Sequence, residues 1–201
     1  MNRTDSPPER LAGEPPCATR RDTLRFCAGA LVGMAAGLGQ TAIAAEPARA
    51  RPQPGDRLVA ADAEGTPTPL RLADVSAEGK PLMAVPFDAA TGTVRDGSRL
   101  NKLLLLRLDP AAMEPSASKH AIEGVIAFSA VCTHQGCNIT EFNAEKGLLL
   151  CFCHFSQFRP AAGGERVAGP APRRLPMLPL KLDGDVLVVA DGFTSRPGAT
   201  L

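Results

Sequence analysis

Cys132-Thr133-His134-Gln135-Gly136-Cys137 and Cys151-Phe152-Cys153-His154-Phe155-Ser156-Gln157-Phe158 decide how this chain is read. Each stretch offers one Cys and one His at short spacing, Cys-x-His in the first and Cys-x-x-His in the second, and each carries one further Cys. Two thiolates and two imidazoles make a four-ligand set that suits tetrahedral zinc. Zinc leaves the second Cys of each stretch, the Gly before the first of them and Ser156 without a role. A pair of ordinary disulfides, the other simple account, ignores both histidines, although the whole chain has only 3 and two of them stand at ligand spacing from a Cys.

A [2Fe–2S] cluster taking two ligands from each loop accounts for more of the pattern. The two stretches together resemble the Rieske iron–sulfur family. That resemblance implies that Cys132 and Cys151 bind one iron, that His134 and His154 bind the other, and that Cys137 and Cys153 form a disulfide joining the loops, with one cluster per chain. Replacing two thiolates by neutral imidazoles leaves the cluster less negative, so its potential rises to roughly −150 to +300 mV against about −400 mV for plant-type ferredoxins. The resemblance also gives Ser156 a hydroxyl hydrogen bond to a cluster sulfur. High-potential members of the family add a Tyr two residues further on, where this chain has Phe158, so a potential below theirs is expected.

Two subfamilies share features with the chain. The family's frequent Cys-Pro-Cys-His-Gly-Ser stands here as Cys-Phe-Cys-His-Phe-Ser, and the His-Phe-Ser form is similar to the small Rieske subunit of arsenite oxidases. Phe152 and Phe155, in place of small turn formers, are expected to shield the cluster or shape a docking surface. Gly169-Pro170-Ala171-Pro172, followed by Arg173-Arg174, resembles instead the proline loop that covers the cluster in Rieske subunits of cytochrome bc complexes.

The N-terminal region points to export. Thr19-Arg20-Arg21-Asp22-Thr23-Leu24-Arg25 precedes an uncharged run from Phe26 to Ala45, the pattern of a twin-arginine signal, which suits a protein exported folded with its cluster in place. Ala42-Ile43-Ala44 and Ile43-Ala44-Ala45 offer cleavage sites. Residues 26–45 are also long enough to span a bilayer as an uncleaved anchor, with Gly29, Gly33 and Gly37 at helix-packing spacing; 7 Ala and 4 Gly among them favour cleavage. Export places the domain in the periplasm, where a disulfide persists. Residues 1–45 are therefore read as signal or anchor, 46–55 as a proline-rich linker, and 56–201 as one domain.

Within that domain, strands are expected at Leu103 to Leu108, Ile122 to Val131, Leu148 to Phe152, and Leu178 to Ala190 interrupted by a turn at Asp183-Gly184, with Asn143 to Gly147 turning the chain toward Cys151. No long segment after Ala45 has helical periodicity. Pattern and resemblance agree on a mainly β, antiparallel fold, with a small cluster-binding subdomain of about residues 130–160 inserted in a larger β base. Residues 56–125 carry no recognisable chemistry.

The function implied is single-electron transfer with no catalytic residues of its own. The partner is expected to be a molybdenum-type oxidase, a cytochrome bc complex or a c-type cytochrome, with quinol as a possible donor. A Rieske oxygenase needs a further two-His, one-carboxylate iron site, and His120 alone remains to build it. With 22 basic and 21 acidic residues the chain has no field to gather nucleic acid. Arg166, Arg173 and Arg174 stand near the proline loop, where they either form a solvated face or meet an acidic partner.

Overall fold

In this computed structural model the described residues are 46–77 and 79–199, so the signal or anchor expected over residues 1–45 lies outside them. Among the described residues, no helix is long and apolar enough to cross a membrane.

The base is an antiparallel sheet built from β1 (Arg57–Ala60), β2 (Leu82–Asp88), β3 (Thr93–Val94), β4 (Leu103–Arg107), β5 (Val125–Ser129), β10 (Met177–Leu178), β11 (Leu180–Asp183) and β12 (Val186–Val189). Its strand order is β10-β5-β4-β2-β1-β12-β11, with β3 on β2. The two end strands are separated in sequence by Pro179 alone. A chain that leaves one end of a sheet and enters the other within one residue forces the sheet to curl until its ends meet, and the result is barrel-like. Proline suits that junction because its missing N–H removes no ladder bond.

A second sheet runs β6 (Glu141–Asn143), β7 (Leu148–Cys151), β8 (Ser156–Arg159), β9 (Glu165–Ala168), each strand paired with its neighbour in sequence. This sheet covers the region expected to form the cluster-binding subdomain and continues to Ala168, past the boundary expected near residue 160. Among the described residues the one α-helix, α1 (Pro115–Ser118), has four residues.

Strand β4 shows how the layers fit. Leu103, Leu104, Leu105 and Leu106 are all fully buried. Alternate strand residues face opposite sides, and here both sides are covered. Leu103 and Leu105 pack with Leu58, Val125, Leu187 and Val189 inside the curled sheet. Leu104 and Leu106 join Ile126, Phe128, Ile139, Leu149 and Phe158 in the core beneath the second sheet. Cys132 and Cys151 belong to that same second core, so both thiols sit on a packed floor.

Several element boundaries differ from the sequence reading. Strand β5 begins at Val125 because Glu123 and Gly124, both at positive φ, form a tight turn joining Ile122 to Val125. The last hairpin turns one residue later than expected, at Gly184-Asp185, since Asp183 pairs with Val186 and Gly184 takes the positive φ. Strand β7 stops at Cys151, as Phe152 enters the loop. Residues 46–55 are fastened along the base: Ala48 C=O accepts from Gly97 N–H (3.0 Å), Ala50 C=O from the Asn101 amide (2.7 Å) and Pro47 C=O from Arg95 (3.3 Å). Arg95 is itself buried in a two-point ion pair with Asp56, at 2.7 and 3.0 Å. A stretch with this many anchors reaches out no further as a spacer.

Candidate metal centre

Three loops build the site. The first, residues 132–137, is closed by Cys132 N–H to Cys137 C=O (2.8 Å) and Gly136 N–H to Cys132 C=O (3.0 Å). Gly136 sits at φ +78°, and a Cβ there would run into the Arg99 guanidinium, so glycine is required twice over. The second, residues 152–155, joins β7 to β8, where Cys151 pairs with Ser156 across the ladder. The Cys137–Cys153 disulfide links the two, as the resemblance implied.

The third loop, residues 169–174, is tied to both. Ser156 Oγ accepts from Ala171 N–H (3.1 Å), and the Thr133 hydroxyl donates to Arg173 C=O (2.8 Å). A Cβ on Gly169 would collide with Ser156 Cα and the Phe155 carbonyl, so the proline loop lies directly against the second loop. The sequence shows this loop but not the contacts that Thr133 and Gly169 make. Their roles arise from contacts across 40 and about a dozen residues of chain, which no local spacing encodes.

Thiols and imidazoles segregate. Cys132 and Cys151 are buried free thiols, and Cys151 Sγ lies within 4.8 Å of both disulfide sulfurs. The His134 and His154 rings stack edge to face with centroids 4.6 Å apart, His134 half-buried and His154 exposed. Burial pushes the Cys132 thiol up to about 11, and neighbouring Cys151 adds in the same direction, while the His134 N–H and the Ser156 hydroxyl favour the thiolate. Two buried thiols side by side ionise only if a positive charge arrives with them.

His134 Nδ1 is buried with no hydrogen-bond partner. A buried imidazole nitrogen without a partner carries a desolvation penalty that a metal bond removes. The donor set thus fits an iron–sulfur group: two thiols awaiting a counter-charge, one orphaned imidazole nitrogen and a second imidazole beside it.

Phe158 is fully buried opposite Leu149. Phe152 and Phe155 are the opposite case, 58% and 66% exposed. Phe155 adopts φ +58°, a region where a bulky residue is strained by about 1 kcal/mol or more. They flank the exposed His154 at the tip rather than filling the interior.

A disulfide-linked pair of Cys/His loops on a small antiparallel sheet, set on a curled β base, defines an iron–sulfur electron-transfer domain. Residues 112–179 match the Rieske [2Fe-2S] domain, and the chain belongs to the Rieske [2Fe–2S] family; its cofactor is a Rieske-type cluster.

The chain is 31% identical over 135 residues to a cytochrome bc1 complex Rieske iron-sulfur subunit of Streptomyces lividans, covering 66% of this chain and 79% of that one. It is 36% identical over 95 residues to a putative respiratory nitrate reductase subunit Rieske of Haloferax mediterranei, covering 47% of this chain and 42% of that one. A bc1 Rieske subunit of Corynebacterium glutamicum is 33% identical over 152 residues, 73% of this chain and 36% of its own length. The chain thus spans less than half the length of the last two relatives. Among solved structures, the soluble domain of Rieske protein II from Sulfolobus acidocaldarius aligns at TM-score 0.34 and 28% identity, over 44% of this chain and 61% of that one.

Proposed function

We propose that this chain is an exported Rieske protein that passes single electrons between a quinol or a periplasmic oxidoreductase and a cytochrome-type acceptor. Cys132 and Cys151 would hold the inner iron, His134 and His154 the outer one. When bound, the cluster supplies a centre that gains and loses one electron at a time.

The chain's own residues do the rest. Burial of the two thiols in the second core keeps water from the inner side of the site. The disulfide and the proline loop hold the two ligand loops at a fixed spacing, so little has to move when charge changes. The His134 N–H and Ser156 Oγ–H direct hydrogen bonds at Cys132 sulfur, favouring the state with more negative charge. His154, exposed at the tip, offers the short path to a partner. That asymmetry, thiols inside and imidazole outside, carries the reading.

The similarity to subunits of bc1 and nitrate reductase complexes supports work within a respiratory assembly. Service to a molybdenum-type oxidase is the second reading, favoured by the His154-Phe155-Ser156 sequence. Export by the twin-arginine route, with or without retention of residues 26–45 as an anchor, belongs to the same proposal. Lys at both Arg20 and Arg21 is expected to hold the chain in the cytoplasm, as measured by fractionation. Equal periplasmic accumulation of that variant would contradict the route. Stopped-flow mixing of the reduced holoprotein with a c-type cytochrome tests the acceptor: haem reduction is expected, and a haem left oxidised would refute it.

Two substitutions probe how the site sets its potential. Ser156→Ala should lower the potential with the cluster retained, because a hydrogen bond to sulfur is lost; it also leaves the Ala171 N–H without its acceptor, at a cost of about 1–3 kcal/mol in stability. Phe158→Tyr should raise the potential. An unchanged value in redox titration would show that the added hydroxyl does not reach a thiolate.

A further inference from the structure

The Cys137–Cys153 bridge closes over a group of three sulfurs. Among the described residues, Cys137, Cys151 and Cys153 are the one set of three His, Cys or acidic side chains whose ligand atoms all lie within 4.8 Å of one another. Among the same residues, no such set includes His134 or His154. The bridged chain therefore spreads its two free thiols and two imidazoles too widely for a single ion, whereas three of its sulfurs crowd together. At a Zn–S distance of about 2.3 Å, tetrahedral thiolates stand about 3.8 Å apart. The three sulfurs are close to the spacing that one ion requires.

The backbone holds these positions by contacts other than the bridge. Cys132 N–H donates to Cys137 C=O (2.8 Å) and Gly136 N–H to Cys132 C=O (3.0 Å), which fixes the end of the first loop. Cys151 ends β7 opposite Ser156, and its thiol is buried in the second core. Cys153 follows two residues later and is exposed, while Cys137 is half-buried. That gradient gives a reductant and a metal ion a way in at Cys153 and leaves Cys151 on a packed floor. Cys132, beside Cys151, or a water completes the fourth position.

We propose that, once the Cys137–Cys153 bond is opened, Cys137, Cys151 and Cys153 bind one divalent ion of the zinc class, and that closing the bond abolishes this site. The opening is a two-electron exchange. A dithiol reductant delivers two electrons and two protons to the bond and closes into its own disulfide, leaving thiols on Cys137 and Cys153. The ion then displaces one proton from each of the three thiols, and thiolate is a ligand type that selects zinc over harder ions. Re-forming the bond withdraws two of the three ligands and leaves Cys132 and Cys151 as the free thiols. The bridge thus governs metal choice as well as loop spacing. The site rests on sulfur positions alone and does not depend on the electron-transfer reading.

The test is anaerobic titration of cobalt(II), which reports thiolate bonds through a sulfur-to-metal absorption band, into the full chain freed of its cluster. The bridged chain is compared with the chain opened by a dithiol that is removed before the titration. One cobalt per opened chain is expected, displaced by zinc, with an affinity lower by about a hundredfold or more in the bridged chain. Cys137→Ser with Cys153→Ser, which has no bridge to open and keeps every other cysteine, should bind as weakly as the bridged chain. Zinc should also slow alkylation of Cys153 in the opened chain, followed by peptide mass spectrometry. Equal affinity in the bridged and opened chains, no sulfur-to-metal band in the opened chain, tight binding by the double variant, or alkylation of Cys153 at an unchanged rate would each overturn the proposal. The first comparison uses one sequence throughout and relies on no variant's folding.

Discussion

His134→Ala and His154→Ala are each expected to leave the chain without a stable [2Fe–2S] cluster. The two imidazoles face each other at 4.6 Å, and His134 Nδ1 is buried with no other partner. In the proposed ligand set, removing either ring takes one of the two protein ligands from one iron, and neither loop offers a replacement: Cys137 and Cys153 are consumed by the disulfide, and Ser156 Oγ is occupied by Ala171 N–H and Cys132. Iron and acid-labile sulfide content should fall toward zero in both variants. His120→Ala should retain the full cluster, since His120 lines a separate cavity behind α1. A stoichiometric cluster in either of the first two variants would refute the ligand set.

The paired change Cys137→Ser with Cys153→Ser is expected to shorten the life of the cluster far more than it alters the kind of spectrum. The bridge closes a loop with a sequence separation of 16; for that length, chain entropy alone predicts about 3 kcal/mol of stabilisation. Without it, the ligand loops keep two ties to the proline loop, Thr133 to Arg173 and Ser156 to Ala171, and no direct tie to each other through sulfur. Changing both cysteines avoids leaving a single thiol within 4.8 Å of Cys151, where it would compete for iron. Denaturant unfolding should show a loss of about 2–4 kcal/mol, and loss of the visible absorption should accelerate. Wild-type stability and cluster lifetime in this variant would show that the bridge is dispensable.

The two Cys/His loops, and with them the Rieske family, were legible in the sequence because the motif is local. Cys132 and His134 share one turn, Cys151 and His154 another, and ligand spacing within a loop survives any arrangement of the rest. The hairpin ending in Cys151 was legible for the same reason, and so was the mainly β architecture. What escaped was set by distant contacts. Strands β1, β2 and β3 give weak alternation: Leu58 and Val59 are adjacent and both buried, and β2 carries Pro86 opposite Leu58. The apolar run of β4 reads as a strand but not as one packed on both faces, because the second layer comes from Ile139, Leu149 and Phe158. The docking of residues 46–55 depends on Arg95 and Asn101, 48 and 51 residues away from the carbonyls they hold. Composition alone makes three prolines and several charges look like a free linker.

The exposed tip also became intelligible only in three dimensions. Replacement of small turn residues by Phe152 and Phe155 allowed either a shield or a docking surface in the sequence. Their exposure of 58% and 66% places both at the outer edge beside His154. Phe155, at positive φ and exposed, brings the fold little packing gain.

The central claim is that two thiolates hold one iron and two imidazoles the other. Mössbauer spectroscopy of the oxidised, ⁵⁷Fe-loaded holoprotein addresses it directly, since it resolves each iron by its ligands. Two quadrupole doublets of equal area are predicted, one of the all-sulfur type and one of the mixed nitrogen and sulfur type; a single all-sulfur doublet, or a protein that takes up zinc in place of iron, would contradict it.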